Sequence, residues 1–327
     1  MTTAERVAEL VRGGESFLVC CHKRPDADAL GSALGLRALL LRLGKDVNLY
    51  VPDDLPPNLV FLDHGEVERD LPADKRWDVT FVMDTAANAL LPKGLPAEDV
   101  RGPLVVIDHH ANHDDVGDIV LRETEACATG EMVMDLAEMF GLRPVPAEAA
   151  TPIYAALVAD TGGFRYSTTK PKVLRMGAEL LEQGADPWEV AYELFEKWQP
   201  ERLALLSAIL DTLEVECEGR LALMTVTREM LAKTGATDDM VEGMVDYGRK
   251  LKGVEIAALV WEFPADSGEG LDTKISFRSR GDADVGVLAQ RLGGGGHKSA
   301  AGTQLDIDAD TAREQVRELA CRVLCGE

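Results

Sequence analysis

This sequence is short of positive charge: 34 Lys and Arg stand against 57 Asp and Glu, a formal charge of −23 over 327 residues. A protein that tracks long nucleic acid through its phosphates needs a basic surface, and an anionic membrane repels an acidic one. The deficit is general, with 19 basic against 34 acidic residues up to position 200 and 15 against 23 beyond it, so neither half is a basic arm. Cysteine is sparse too. Cys20 and Cys21 are adjacent, Cys127 and Cys217 isolated, Cys321 and Cys325 four apart, a spacing that is neither a disulfide framework nor a zinc knuckle. No apolar run reaches the roughly 18 residues of a membrane span, and the N-terminus opens on Thr2, Glu5 and Arg6 rather than on a basic patch and an apolar core. Aromatics, at 5%, offer few platforms for stacked bases. The expectation is a cytoplasmic protein that binds neither membrane nor long duplex nucleic acid.

What is present is enough apolar residue, 46%, for two cores. The length exceeds the usual single domain of about 100 to 200 residues. Short apolar runs at Ser16 to Cys21, Val47 to Val51, Val79 to Met83 and Pro103 to Ile107 alternate with helical patterns, notably Ala29 to Leu43, which stops at Gly44. Strand, helix and strand make a right-handed βαβ unit. Helices are also expected over Glu131 to Phe140 and Ala147 to Ala159. Strands are expected at Leu221 to Thr227, Ile256 to Phe263 and Lys274 to Arg278, with a helix over Asp239 to Leu251 and another at the end of the chain. The fold class is therefore α/β with two domains. An N-terminal, open, mostly parallel, Rossmann-like sheet with helices on both faces (1–186) leads through a helical linker (187–213) to a smaller α/β domain (214–327).

Four groups of His and Asp fall just past apolar segments: His22, Asp26 and Asp28; Asp84; Asp108, His109 and His110; and Asp160. In an open parallel sheet the strand C-termini share one edge, where ligands bind, so these groups converge. Carboxylates packed there repel one another unless a cation sits among them. Carboxylate and imidazole without thiolate favour an octahedral ion such as Mn²⁺, with Fe²⁺, Co²⁺, Mg²⁺ or Zn²⁺ as alternatives, and the number of donors suits two ions. Pro25 biases Arg24 towards an extended conformation, so that Asp26 and Asp28, two apart, face neighbouring sites. Asp28 is equally placed to N-cap the helix at Ala29, while Gly31 and Ser32 leave room for a phosphate. Asp84 alone would pass for a turn residue and Asp160 for a helix end; the conjunction of the four groups carries the reading. His64 and His113 stand outside it, in polar loops.

In the second half, the glycine run before His297 exposes backbone N–H groups in a turn suited to an anion, or simply ends a helix after Leu292. It is not a Walker A loop, because His297 stands where that pattern needs Gly before Lys298 and Ser299. Arg278 lies on the polar face of its strand.

His22-Lys-Arg-Pro-Asp26-Ala-Asp28-Ala-Leu-Gly31-Ser32, Val82-Met83-Asp84, Ile107-Asp108-His109-His110 and Ala159-Asp160-Thr161-Gly162 resemble, in order, the four motifs of DHH-superfamily phosphoesterases. Gly293-Gly294-Gly295-Gly296-His297-Lys-Ser-Ala-Ala-Gly302 is similar to the signature of the DHH-associated domain, so the resemblance covers nearly the whole chain. Size and the lack of extra domains fit the nanoRNase subgroup, bifunctional oligoribonuclease and 3′-phosphoadenosine 5′-phosphate (PAP) phosphatases. The resemblance implies a site in the interdomain cleft. One Mn²⁺ would be held by His22, Asp26 and Asp84, and a second by Asp28, Asp84, His109 and Asp160. His110 would contact the phosphate, and Asp108 would orient an imidazole. Arg278, Gly295, Gly296 and His297 would hold substrate, with Arg165 and Tyr166 as weaker candidates near the phosphate. The implied reaction is in-line attack by an activated water, with no covalent intermediate, on short oligonucleotides or small phosphorylated nucleotides, by a monomer or homodimer. Within the superfamily, cyclic-dinucleotide or pApA phosphodiesterase is the nearest alternative, manganese pyrophosphatase and RecJ-type exonuclease are more distant, and a non-catalytic nucleotide sensor is the alternative of another class.

Overall fold

In the computed structural model the apolar runs become the central strands of two sheets, one in each of two compact units, Met1–Lys197 and Trp198–Glu327. The structure describes residues 1–111, 114, 116–264, 271–296 and 298–325, so His113 and His297 lie outside the described residues.

The first unit opens on α1 (Thr3–Gly13), whose Thr2 and Glu5 form a capping box. There follow β1 (Ser16–Cys21), α2 (Ala27–Arg42), β2 (Asp46–Tyr50), β3 (Val67–Glu68), β4 (Val79–Met83), α3 (Glu98–Arg101), β5 (Leu104–Asp108), β6 (Ile119–Arg122), α4 (Thr129–Met139), α5 (Ala147–Asp160), α6 (Pro171–Glu182) and α7 (Pro187–Ala191). The strands pair in the order β3-β2-β1-β4-β5-β6, every pair parallel. Residues of β4 and β5 are buried throughout, as strands covered on both faces must be. Phe17, Val19 and Phe81 pack with α1, α2, α4 and α5, while Leu18, Cys20, Val82 and Val106 face a smaller core closed by Tyr50, Trp77, Val116 and Val100 of α3.

The second unit runs α8 (Pro200–Leu210), β7 (Glu214–Glu216), β8 (Leu221–Val226), α9 (Arg228–Thr234), α10 (Val245–Arg249), β9 (Ile256–Pro264), β10 (Leu271–Ser279), α11 (Val285–Arg291), β11 (Gly295–Gly296), β12 (Ala300–Leu305) and α12 (Ala309–Cys325). Its sheet order is β11-β12-β10-β9-β8-β7, antiparallel except for the β8–β9 pair. One face packs on α11 and α12, the other on α8, α9 and α10. The cysteine reading needs a correction here: Cys217, just past β7, is joined to Cys321 of α12 in a disulfide. Local spacing could not reveal a pair 104 residues apart that meets only when α12 folds onto the sheet. Among the described residues no helix is long and apolar enough to cross a membrane.

The first unit depends on close approach of α2 and α5. A Cβ on Gly31 would meet the Pro152 carbonyl oxygen at 2.3 Å, and one on Gly35 would meet Ile153 Cγ1 at 2.5 Å. Gly31→Ala is expected to destabilise the unit by about 1–3 kcal/mol through overpacking, despite the better helix propensity of Ala, worth about 1 kcal/mol. An unchanged urea midpoint would show that the two helices separate without cost.

Candidate metal centre

The strand order reverses between β1 and β4, so the chain leaves their C-terminal ends in opposite directions and opens a crevice between them. His22 follows β1, Asp84 follows β4, and Asp108 ends β5 with His109 and His110 behind it. Asp26 and Asp28 start α2, and Asp160 ends α5.

These side chains meet in three overlapping groups, each with donor atoms within 4.8 Å of one another: His22, Asp26 and Asp84; Asp28, His109 and Asp160; and Asp84, His109 and His110. His22 Nε2 lies 3.8 Å from Asp26 Oδ1 and 3.6 Å from Asp84 Oδ2. His109 Nε2 lies 3.6 Å from Asp28 Oδ2, 3.6 Å from Asp84 Oδ1 and 3.2 Å from Asp160 Oδ2. His110 Nδ1 is 3.5 Å from Asp84 Oδ1 and 2.7 Å from Asp108 Oδ1. Asp84 thus turns one oxygen to His22 and the other to His109 and His110. The Nδ1 atoms of His22 and His109 face the carbonyls of Lys23 (3.0 Å) and Ala126 (3.3 Å), which leaves each Nε2 aimed at the carboxylates.

Two local expectations are corrected. Arg24 is not extended but left-handed, at φ 54°, with its N–H held by Asp53 Oδ2 at 2.9 Å. The cap of α2 is Asp26, which accepts from Ala29 N at 2.9 Å, and Asp28 sits inside the first turn. Asp28 is fully buried and accepts from Ser32 Oγ (3.0 Å), Thr129 N (2.7 Å) and Gly130 N (3.0 Å). Ser32, read as bordering a phosphate, lies buried behind Asp28. Sequence reasoning missed Thr129 and Gly130 altogether. Thr at the start of a helix is common, and their partner is about a hundred residues away.

The electrostatics follow from burial. Asp28 is pushed well above the carboxylate range by desolvation and by Asp84 and Asp160, and Asp160 is raised by desolvation, Asp26 and Asp84. Burial opposes charge on the imidazoles, but the neighbouring carboxylates of Asp26 and Asp84 overcome it at His22, lifting it to about 11. At His109, contacts with Asp160, Asp28 and Asp84 overcome it and lift it to about 10. At Asp26, whose side chain stays 61% exposed, desolvation is outweighed by the His22 contact, which lowers it to about 2. Protons on His22 and His109 therefore supply positive charge that a divalent cation would supply in their place. Oxygen and imidazole donors without thiolate fit such a cation.

In the second unit, Arg278 lies near the end of β10, its Nε 3.9 Å from Asp246 Oδ1 and its Nη1 donating to the Phe277 carbonyl. It pairs in register with Ala300, and Gly296 pairs with Ala301, so Arg278 and the glycine segment share one end of the sheet. The glycines pack closely: a Cβ on Gly294 would meet the Gly302 carbonyl oxygen at 2.2 Å, and one on Gly296 would meet Ala301 Cα at 2.5 Å, whereas Gly295 is exposed. In the first unit Arg165 turns back, its Nε donating to the Gly162 carbonyl, and the Tyr166 ring lies against Gly162.

A His and Asp cluster on the edge of an order-reversing parallel sheet, with a mixed second sheet following, defines the class. The chain belongs to the DHH family: the DHH family N-terminal domain matches residues 16–159 and the DHHA1 domain matches residues 220–322. Within it, the chain is 34% identical over 314 residues to the bifunctional oligoribonuclease and PAP phosphatase NrnA of Thermus thermophilus, covering 95% of this chain and 91% of that protein. It is 28% identical to the Bacillus subtilis protein of the same name, over 89% and 90% of the two chains. The crystal structure of an exopolyphosphatase-related protein from Bacteroides fragilis superposes with a TM-score of 0.85 at 25% identity, covering 99% and 98%.

Because a cation can take an imidazole nitrogen only after its proton leaves, raised pKa values at His22 and His109 mean that metal uptake releases protons at neutral pH and strengthens as pH rises towards about 10. Calorimetric titration of the metal-free protein with Mn²⁺, repeated in buffers of different ionisation enthalpy, reads this release. A binding heat independent of the buffer would show that the imidazoles are already neutral.

Proposed function

We propose that this protein is a manganese-dependent phosphoesterase that hydrolyses short oligonucleotides to nucleoside monophosphates and PAP to AMP. The observation that carries the reading is Asp84, with its two oxygens turned to separate imidazole groups, in a chain related over nearly its whole length to proteins named as oligoribonucleases and PAP phosphatases. Divalent ions, when bound, would supply Lewis acidity, lowering the pKa of a water and offsetting charge on phosphoryl oxygens. His22, Asp26 and Asp84 would hold one, and Asp28, His109 and Asp160, with Asp84, the other.

The remaining groups have roles that follow from their contacts. His110 is held by Asp108 and is raised in pKa, burial notwithstanding, by that hydrogen bond and by Asp84, a shift that favours the positive form suited to a phosphoryl oxygen. Water is the nucleophile in this reading, because the hydroxyls of Ser32 and Thr129 are committed to Asp28 and Asp84 and the Cys127 thiol is not poised to attack. Ser32 donates to Asp28, and burial followed by Glu131 pushes the Cys127 thiol up. Arg278 supplies a charged donor for a substrate phosphate. A short substrate suits an acidic protein, since long polyanions are bound through basic surface.

Purified protein with Mn²⁺ is expected to prefer the shortest RNAs in a ladder from dinucleotides to about 20-mers, and to release AMP from PAP. Faster turnover of pyrophosphate or of cyclic di-AMP would overturn the assignment. Asp84→Ala is expected to lower kcat/KM by about 10³-fold; near-normal hydrolysis by that variant would end the two-metal scheme. Arg278→Ala is expected to raise KM by about 10-fold with a smaller effect on kcat, and an unchanged KM would remove Arg278 from the substrate site.

A further inference from the structure

We propose that Thr129 is a positioning residue that fixes two carboxylates of the cluster at once, Asp84 through its hydroxyl and Asp28 through its backbone N–H. The inference rests on the divalent-metal reading above and deepens it.

The N-terminus of α4 points at the cluster. Thr129 N and Gly130 N donate to the two oxygens of Asp28, at 2.7 and 3.0 Å, where the helix dipole adds to the attraction. Thr129 Oγ1 donates to Asp84 Oδ1 at 2.9 Å. A hydroxyl has one proton, and here it is committed to Asp84. The terminal torsion of an Asp side chain is broad and has no sharp minimum of its own, so a partner must set it. With Oδ1 pinned, that oxygen stays 3.6 Å from His109 Nε2 and 3.5 Å from His110 Nδ1, while Oδ2 stays 3.6 Å from His22 Nε2. Rotation of the carboxylate would carry both oxygens away from their groups together.

Thr129 can do this because it is itself immobilised. It is fully buried. Cys127 N donates to Glu131 Oε2 at 2.8 Å, which ties the loop to the first turn of α4. A Cβ on Gly130 would meet Ala156 Cβ at 2.7 Å, so the helix start lies hard against α5, which carries Asp160. One residue thus links β4, α2 and α4 around the metal-binding carboxylates.

The test is Mn²⁺ titration of the metal-free full-length chain by calorimetry, with thermal unfolding of the same samples. Thr129→Val keeps the shape and the N–H and removes only the hydroxyl. It is expected to bind Mn²⁺ about 10- to 100-fold more weakly, the usual cost of losing a partner that orients a ligand. Thr129→Ser, which restores the hydroxyl, is expected to return affinity to within about 3-fold of wild type, a rescue that loss of packing alone would not give. If the Val variant does not fold, Thr129→Ala is titrated by the same criterion. A Val or Ala variant that binds Mn²⁺ as the wild type does, or a folded Ser variant as weak as Val, overturns the role of Thr129 while leaving the metal reading intact. A wild-type protein that takes up no Mn²⁺ overturns both.

Discussion

Repulsion among carboxylates that have no room to separate is the constraint on which the first unit depends. Asp28 is 0% and Asp84 3% exposed, so water screens little of the repulsion between them, and Asp160 and the more exposed Asp26 crowd them further. Three kinds of positive charge oppose it. Helix N-termini serve two of the acids, α2 for Asp26 and α4 for Asp28. Imidazolium rings serve Asp84 and Asp160 from His22 and His109. Divalent ions, in the proposed function, take over from the imidazole protons. Backbone donors are permanent and protons exchangeable, so the same cage suits a metal-free and a metal-bound form.

The sheet brings the groups together, and backbone distortion aims them. β4 keeps its ladder up to Asp84, whose N–H still donates to the Ile107 carbonyl at 2.8 Å, yet Asp84 itself is left-handed at φ 56°. A non-glycine residue in that region costs of order 1–3 kcal/mol and persists where surrounding contacts enforce it. Here those contacts are the Thr129 hydroxyl and the pairing with β5. Arg24, at φ 54°, makes a second such turn between His22 and Asp26, so the chain doubles back and both side chains meet Asp84. The crevice is therefore a property of strand order, whereas ligand direction is a property of two unfavourable residues.

This division explains what the sequence revealed. Strands β1, β2, β4 and β5 and helices α2, α4 and α5 carry long apolar patterns, and those patterns are local, so they could be read directly. Helix α1 and strand β6 were missed because their apolar signal is short or sparse, with Val7, Ala8 and Val11 the buried residues of α1, whereas α6 was missed although Val173, Met176 and Leu180 keep a helical spacing. His22, Asp84 and His109 come together because parallel strands gather their ends on one edge, a rule that needs no coordinates, and Asp160 joins them from the end of α5. Direction was not legible. Pro25 argued for an extended Arg24, and the restraint that overrode it is Asp53, 29 residues away. Ser32 and Thr129 look ordinary in sequence because what defines them is Asp28 and Asp84, reached only after folding. The Cys217–Cys321 bond was hidden for the same reason.

The overall charge of −23 and an anionic substrate are reconciled by range. At physiological ionic strength the field of an exposed charge decays over about 8 Å, so a phosphate inside the crevice responds to groups it nearly touches. There, in the proposed function, the cations held by the acids would face it, with His110 beside them. Each further nucleotide of a longer strand would leave that neighbourhood for a surface on which carboxylates outnumber basic groups. Extra length would then add repulsion, so the proposed preference for short substrates needs no separate device to measure length. In the proposed function, the same −23 that argues against long nucleic acid in the sequence would, at the scale of the site, also favour short substrates.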